Sequence, residues 1–122
     1  MRILICGDRH WYDLDLMREA LAFLPDKDVV IVSGHALGAD LFGEDLADER
    51  GWKKDIFKAE WNEYGRSAGP IRNIEMLNTQ PDLVVAFHDN IHESKGTIHC
   101  IREAQKRGIP VVLIRHSDDS IL

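Results

Sequence analysis

Four clusters of polar residues stand where chemistry could be done: GDRHWYD (Gly7 to Asp13), SGHALGAD (Ser33 to Asp40), GRSAGPIRN (Gly65 to Asn73) and HESKGT (His92 to Thr97). Each joins glycine to hydroxyl, amide or cationic side chains. Glycines just ahead of a helix uncover backbone N–H groups, which bind a phosphate or a carboxylate. Arg9, Arg66 and Arg72 can grip the same anion through paired, charge-assisted hydrogen bonds. Arg72 reads into the first turn of a helix, where a cation opposes the dipole unless an anion is near. The chemistry implied is capture of a small anionic group.

Each of these residues also has a reading that needs no ligand. Gly34 and Gly38 can serve only a tight turn and close packing. Asp40 can be a helix cap, and Ser94 and Thr97 can cap the last helix. Trp11 and Trp61 could stack on a base, but hydrophobic packing explains them more simply. His88 and His92 stand four apart in a loop with no third ligand, so no metal is expected, and no cofactor. Cys100 reads as a small core residue. Gly34 and Gly38 form G-x-x-x-G after the second strand rather than G-x-G-x-x-G after the first, and no G-x-x-x-x-G-K-[S/T] occurs, which counts against a P-loop NTPase. No G-x-S-x-G elbow promotes Ser33 or Ser94 to a nucleophile.

The elements that must position these clusters are five short runs: RILIC (2–6), VVIVS (29–33), DIFKA (55–59), LVVAF (83–87) and PVVLI (110–114). Apart from the third they are almost continuously apolar, as in parallel strands covered on both faces. Helical stripes lie between them: Leu14, Met17, Leu21 and Leu24; then Leu41, Phe42, Leu46 and Ala47 ahead of Gly51. Pro70 suits the first turn of a helix carrying Ile71, Ile74 and Leu77. Ile98, Ile101 and Ala104 mark the last helix, which stops at KRGIP (Lys106 to Pro110). The alternation predicts one α/β domain over 1–122, a five-stranded, mostly parallel Rossmann-like sheet in the order 3-2-1-4-5 with helices on both faces. A ligand then belongs at the strands' carboxyl ends, near the loops after Cys6 and Phe87, where the winding reverses.

Composition narrows the partners. Fifteen Lys and Arg against twenty-one Asp and Glu leave a formal charge of −6 over 122 residues. Duplex DNA needs many cationic phosphate contacts and is disfavoured by that field. A small anion needs only a local pocket. The acidic run GEDLADE (Gly43 to Glu49) reads as a solvated helix face. No apolar run is long enough to span a bilayer, the first strand leaves no room for a leader, and two unpaired cysteines suit a reducing cytoplasm.

In order and spacing, GDRHWYD, SGHALGAD, GPIRNIEM (Gly69 to Met76) and SKGT (Ser94 to Thr97) resemble the YspA/YpsA-like branch of the SLOG superfamily, over nearly the whole chain. That resemblance implies a Rossmann-like fold, a pocket for a nucleotide or nucleotide-derived ligand, a bacterial or phage setting, and a homodimer joined by helices beside the pocket. It places Gly7, Arg9, the loop from Ser33 through Gly34 and Gly38 to Asp40, Arg72, Asn73, Ser94, Gly96 and Thr97 at that pocket. The two-glycine loop thereby reads as a ligand loop. LOG-type phosphoribohydrolases of the superfamily carry a catalytic glutamate in PGGxGTxxE. Here the stretch is ESKGTIHC, with Cys100 at the glutamate position and Glu93 and Glu103 out of register. A binding or sensing module is therefore the leading expectation, an N-glycosidic hydrolase with a displaced carboxylate the alternative. A DNA-binding role like that of the related DprA recombination mediator comes third, since no basic stripe stands out.

Overall fold

The computed structural model describes residues 1–116, so that of the tail read from His116 to Leu122 only His116 is included. Strands β1 (Arg2–Gly7), β2 (Val30–Ser33), β3 (Lys53–Ile56), β4 (Leu83–Phe87) and β5 (Val111–Ile114) pair in parallel, in the order β3-β2-β1-β4-β5. This is the order that strand–helix alternation and the crossover rule imply. The helices are α1 (Leu14–Ala20), α2 (Ala39–Arg50), α3 (Trp61–Tyr64), α4 (Ala68–Asn78) and α5 (Lys95–Lys106). None among the described residues is long and apolar enough to cross a membrane.

The pleat explains the unbroken apolar runs. In β1, Ile3 and Ile5 pack with Met17, Leu21 and Leu46 beneath α1 and α2. Leu4 and Cys6 point the other way, to Met76, Leu77, Cys100 and Ala104 of α4 and α5. Neither face of the central strands meets water, so apart from Arg2 at the start of β1 and Ser33 at the end of β2 they carry apolar residues. Each fully buried Ile or Leu there contributes roughly 1.5–3 kcal/mol.

Four local expectations are corrected. β3 runs over Lys53–Ile56 rather than 55–59, because pairing Val30 with Lys53 fixes its start just after Gly51, whose left-handed φ of 74° ends α2. As an edge strand it tolerates the two lysines that disguised it. α1 stops at Ala20, although Leu21 and Leu24 remain buried in the turns beyond. α4 starts at Ala68, and its buried side is Asn73, Met76 and Leu77, with Ile71 and Ile74 only half-buried. The GEDLADE run is not uniformly solvated: Glu44 is 7% exposed.

At the carboxyl edge, Gly7 ends β1 with φ +151°, and a Cβ there would lie 2.2 Å from the Phe87 carbonyl oxygen. Only glycine lets the two central strands finish this close. Asp8 N–H donates to that same oxygen at 2.8 Å and turns the chain outward. The loops after β1 and β4 open directly above.

Candidate functional site

A cavity of about 520 Å³ lies above the ends of β1 and β4, inside the usual range for a small-molecule pocket. One wall is the loop after β1, with Gly7, Asp8, Arg9 and His10. The loop after β2 gives Ala36 and Asp40, α4 gives Arg72, Asn73 and Met76, and the segment from His88 into α5 closes the far side. Cys6 and Cys100 line its floor as free thiols. The hydrogen bond that the Cys6 thiol shares with Cys100, and then burial, push Cys6 well above its ordinary range. A thiol held neutral there is a packing group rather than a nucleophile.

The α5 end of the cavity is built by a cap. Ser94 is the N-cap, and its Oγ accepts from Thr97 N–H at 3.2 Å. Thr97 Oγ donates to the Gly7 carbonyl at 3.2 Å, tying the first turn of α5 to the end of β1. Lys95 and Gly96 are thus the first two helical residues, whose N–H groups have no carbonyl inside the helix. A Cβ added to Gly96 would meet nothing within 4 Å. The fold does not require glycine there.

Arg72 lies on α4 at the fifth helical position, past the first turn, so the dipole argument made for it from sequence does not hold. Its placement has another cause. Nη1 donates to the Gly34 carbonyl at 2.8 Å, and Nε donates to Asn73 Oδ1 at 3.3 Å. Asn73 Nδ2 then donates to the Gly96 carbonyl at 3.3 Å, linking α4 to the start of α5. The guanidinium is fixed against the loop after β2 and, through Asn73, coupled to the first turn of α5.

Of the residues singled out in sequence, Gly7, Arg9, Asp40, Arg72, Asn73, Ser94, Gly96 and Thr97 line this cavity. Ser33, Gly34 and Gly38 do not; they shape the wall behind it. A Cβ on Gly34 would fall 2.8 Å from Arg72 Cδ, and one on Gly38 (φ +78°) 2.2 Å from the Asp8 carbonyl oxygen. Ser33 Oγ donates to Glu44 Oε2 at 2.8 Å, and Glu44 Oε1 accepts from His35 Nδ1–H at 2.9 Å. The Ser33–Glu44 pair is buried, whereas His35 reaches it from the exposed loop at φ +61°, an uncommon angle for a non-glycine residue. This network could not be read from sequence, where Glu44 sat beside Asp45, Asp48 and Glu49 and His35 among turn glycines.

Asp40 is not the cap of α2, a position held by Gly38. It is the second helical residue, 7% exposed, and its Oδ2 accepts from Ala36 N–H at 3.2 Å. Burial raises its pKa to about 6, against the pull of the Ala36 N–H and the Arg72 charge. Glu93 lines the cavity, whereas Glu103 is outside it, bonded to Lys106 at 2.9 Å and Arg107 at 3.1 Å. Trp11 packs in the core, its ring 5.6 Å from that of Phe87 and stacked 4.7 Å from that of His116. Trp61 departs from the packing expectation: it is 59% exposed. His88 is buried, with Nδ1 accepting from Asn90 N–H at 2.9 Å. Among the described residues no group of His, Cys, Asp and Glu could hold a metal ion.

The cavity therefore offers Arg9, Arg72 and Lys95 for an anion, and Asp8, Asp40 and Glu93 for hydroxyl or amino groups. The model of the YspA, cpYpsA-related SLOG family matches residues 1–64, which hold β1, the two-glycine loop and α2. The chain is also 39% identical over 123 residues to the Gene 61 protein of Mycobacterium phage D29, an alignment that covers 91% of this chain and 94% of the phage protein. No solved structure matches it.

Proposed function

We propose that this chain, which belongs to the YspA, cpYpsA-related SLOG family, binds a nucleotide or nucleotide-derived small molecule and acts as a binding or sensing module. The observation that carries the reading is the cavity at the sheet's winding reversal, where Arg72 and the capped first turn of α5 meet across Asn73. The phosphate belongs against Arg72, Lys95 and the open N–H groups of α5. The carboxylates Asp8, Asp40 and Glu93 suit ribose hydroxyls or base amino groups, which accounts for a lining of mixed charge. A long polyanion would meet Asp8 and Glu93 as well as the net charge of −6.

Titration calorimetry with AMP and GMP tests the reading. Arg72→Ala removes a charge-assisted contact of about 1.5–3 kcal/mol, so binding is expected to weaken roughly tenfold to a hundredfold. Unchanged affinity in the variant would place the ligand elsewhere.

A second reading, an N-glycosidic hydrolase, is favoured by one observation: a buried carboxyl, Asp40, with its pKa raised to about 6, lines the cavity beside Arg72. A homodimer is also part of the proposal. The exposed Trp61 and Tyr64 of α3 stand next to α4, the helix that carries Arg72. Only monomer mass in light scattering at micromolar concentration would remove it.

A further inference from the structure

A second groove, of about 410 Å³, runs along the outer side of α5 and shares Ser94 and Lys95 with the first cavity. Lys95, His99, Arg102 and Lys106 all line it, at helical spacings of four, three and four, so they form one stripe. The sole acidic lining residue, Glu103, is already matched by Lys106 at 2.9 Å and Arg107 at 3.1 Å. Lys95 and Arg102 have no ion-pair partner among the described residues, and neither do Arg9 and Arg72 in the adjoining cavity. His99 Nδ1 accepts from Asn73 Nδ2 at 3.2 Å, which leaves the ring proton on Nε2 as a further donor.

In a chain of net charge −6, two unmatched cations, Lys95 and Arg102, set along one helix face leading out of an anion-sized cavity call for a matching anion. We infer that the ligand carries a chain of phosphates, the first held in the cavity and the others running over Lys95 toward His99 and Arg102 along α5. The inference rests on the nucleotide reading above and narrows its ligand class to nucleoside oligophosphates. Seven residues of helix set Arg102 about 10 Å beyond Lys95, farther than a single phosphate reaches.

Titration calorimetry with AMP and with adenosine 5′-tetraphosphate, on the wild type and on Arg102→Ala, is the test. Alanine suits an exposed helix position, so the variant keeps its fold. The tetraphosphate is expected to bind the wild type at least about tenfold more tightly than AMP. Arg102→Ala should weaken the tetraphosphate roughly fivefold and leave AMP unchanged. Equal affinities for the two ligands, or a loss in Arg102→Ala common to both, would overturn the proposal while leaving the nucleotide reading intact. The same selective loss in Lys53→Ala, on the opposite edge of the sheet, would reduce the effect to overall charge and overturn it too. Failure of both ligands to bind would remove the nucleotide reading itself, and this inference with it.

Discussion

Gly34 and Arg72 are fitted to each other: the Arg72 Nη1 donates to the Gly34 carbonyl at 2.8 Å, and a Cβ on Gly34 would stand 2.8 Å from both Cδ and Nη1 of that arginine. The two residues lie 38 positions apart in the chain. The missing side chain of one is the space occupied by the other, and the backbone oxygen then aims the guanidinium. The glycine serves the site at one remove, through the arginine.

Gly34→Ala should consequently behave as a weak Arg72 variant. Gly34 has no positive φ, so alanine fits the backbone and the fold should hold. The arginine must move, losing its Gly34 bond and its aim. We expect circular dichroism to be unchanged and AMP affinity to fall about tenfold, comparable with the milder end of the range for Arg72→Ala. Full affinity in calorimetry would mean that the position of Arg72 does not matter for binding.

Gly96→Ala probes the opposite kind of glycine. Nothing stands within 4 Å of its absent Cβ, and its residue lies in the first turn of α5. Alanine should therefore stabilise the helix, by up to about 1 kcal/mol. If a phosphate sits on the Lys95 and Gly96 N–H groups, the added methyl crowds it. The expected result is a midpoint of unfolding as high as or higher than wild type, together with weaker AMP binding. A stabilised variant of full affinity would move the phosphate off this turn.

The contrast between these glycines shows what the sequence could carry. Strand positions were legible wherever both faces are buried, because continuous apolar runs as short as RILIC and LVVAF suit a covered parallel strand and little else. The start of β3 was misplaced by two residues because an edge strand may hold Lys53 and Lys54 as readily as a loop does. At the site, the clusters that line the cavity were visible as glycine beside polar residues. Which glycine makes room for a ligand and which makes room for Arg72 depends on contacts 38 residues apart, and spacing holds no trace of them. The burial of Glu44 and the partners of Glu103 were hidden for the same reason: a charged residue on a helix looks alike whether solvent or Ser33 is its neighbour.

Asp40 gives the pH dependence of stability a definite sign. Its pKa rises from 3.8 to about 6 on folding, so the folded state disfavours the ionised form. That cost is absent below pH 4, grows as pH rises, and is complete above about pH 6, at no more than roughly 3 kcal/mol. Asp40→Asn should thus be more stable than wild type at pH 7, with the difference shrinking through pH 6 and gone near pH 4 in denaturant titrations. His116, whose pKa is raised by Asp89 and then Asp13, adds its own preference for low pH, stability lost as pH climbs through its raised pKa. Comparing wild type with Asp40→Asn at each pH cancels that contribution. A difference independent of pH would mean that Asp40 is not ionising in this range.

Chemistry at the cavity turns on where a carboxylate can stand. Cleaving an N-glycosidic bond builds positive charge on the sugar, which a carboxylate beside it stabilises. By the resemblance of ESKGTIHC to the LOG-type motif, that glutamate's position falls on Cys100, 1% exposed and packed among Leu4, Met76 and Ala104. Glu103 cannot replace it: Lys106 and Arg107 hold it outside the cavity and lower its pKa. Asp40 and Glu93 remain. At pH 7 Asp40 is mostly ionised but buried beside Arg72, a cation that offsets the charge a developing oxocarbenium ion would use. Glu93 sits in the short 3₁₀ turn ahead of α5, and among the described residues no hydrogen bond to its carboxylate fixes its direction. We therefore expect purified protein to bind AMP and GMP and to release no free base from either, as read by chromatography after long incubation with excess protein. Base release that vanishes in Asp40→Asn or in Glu93→Gln would replace the binding module with a hydrolase and name its carboxylate.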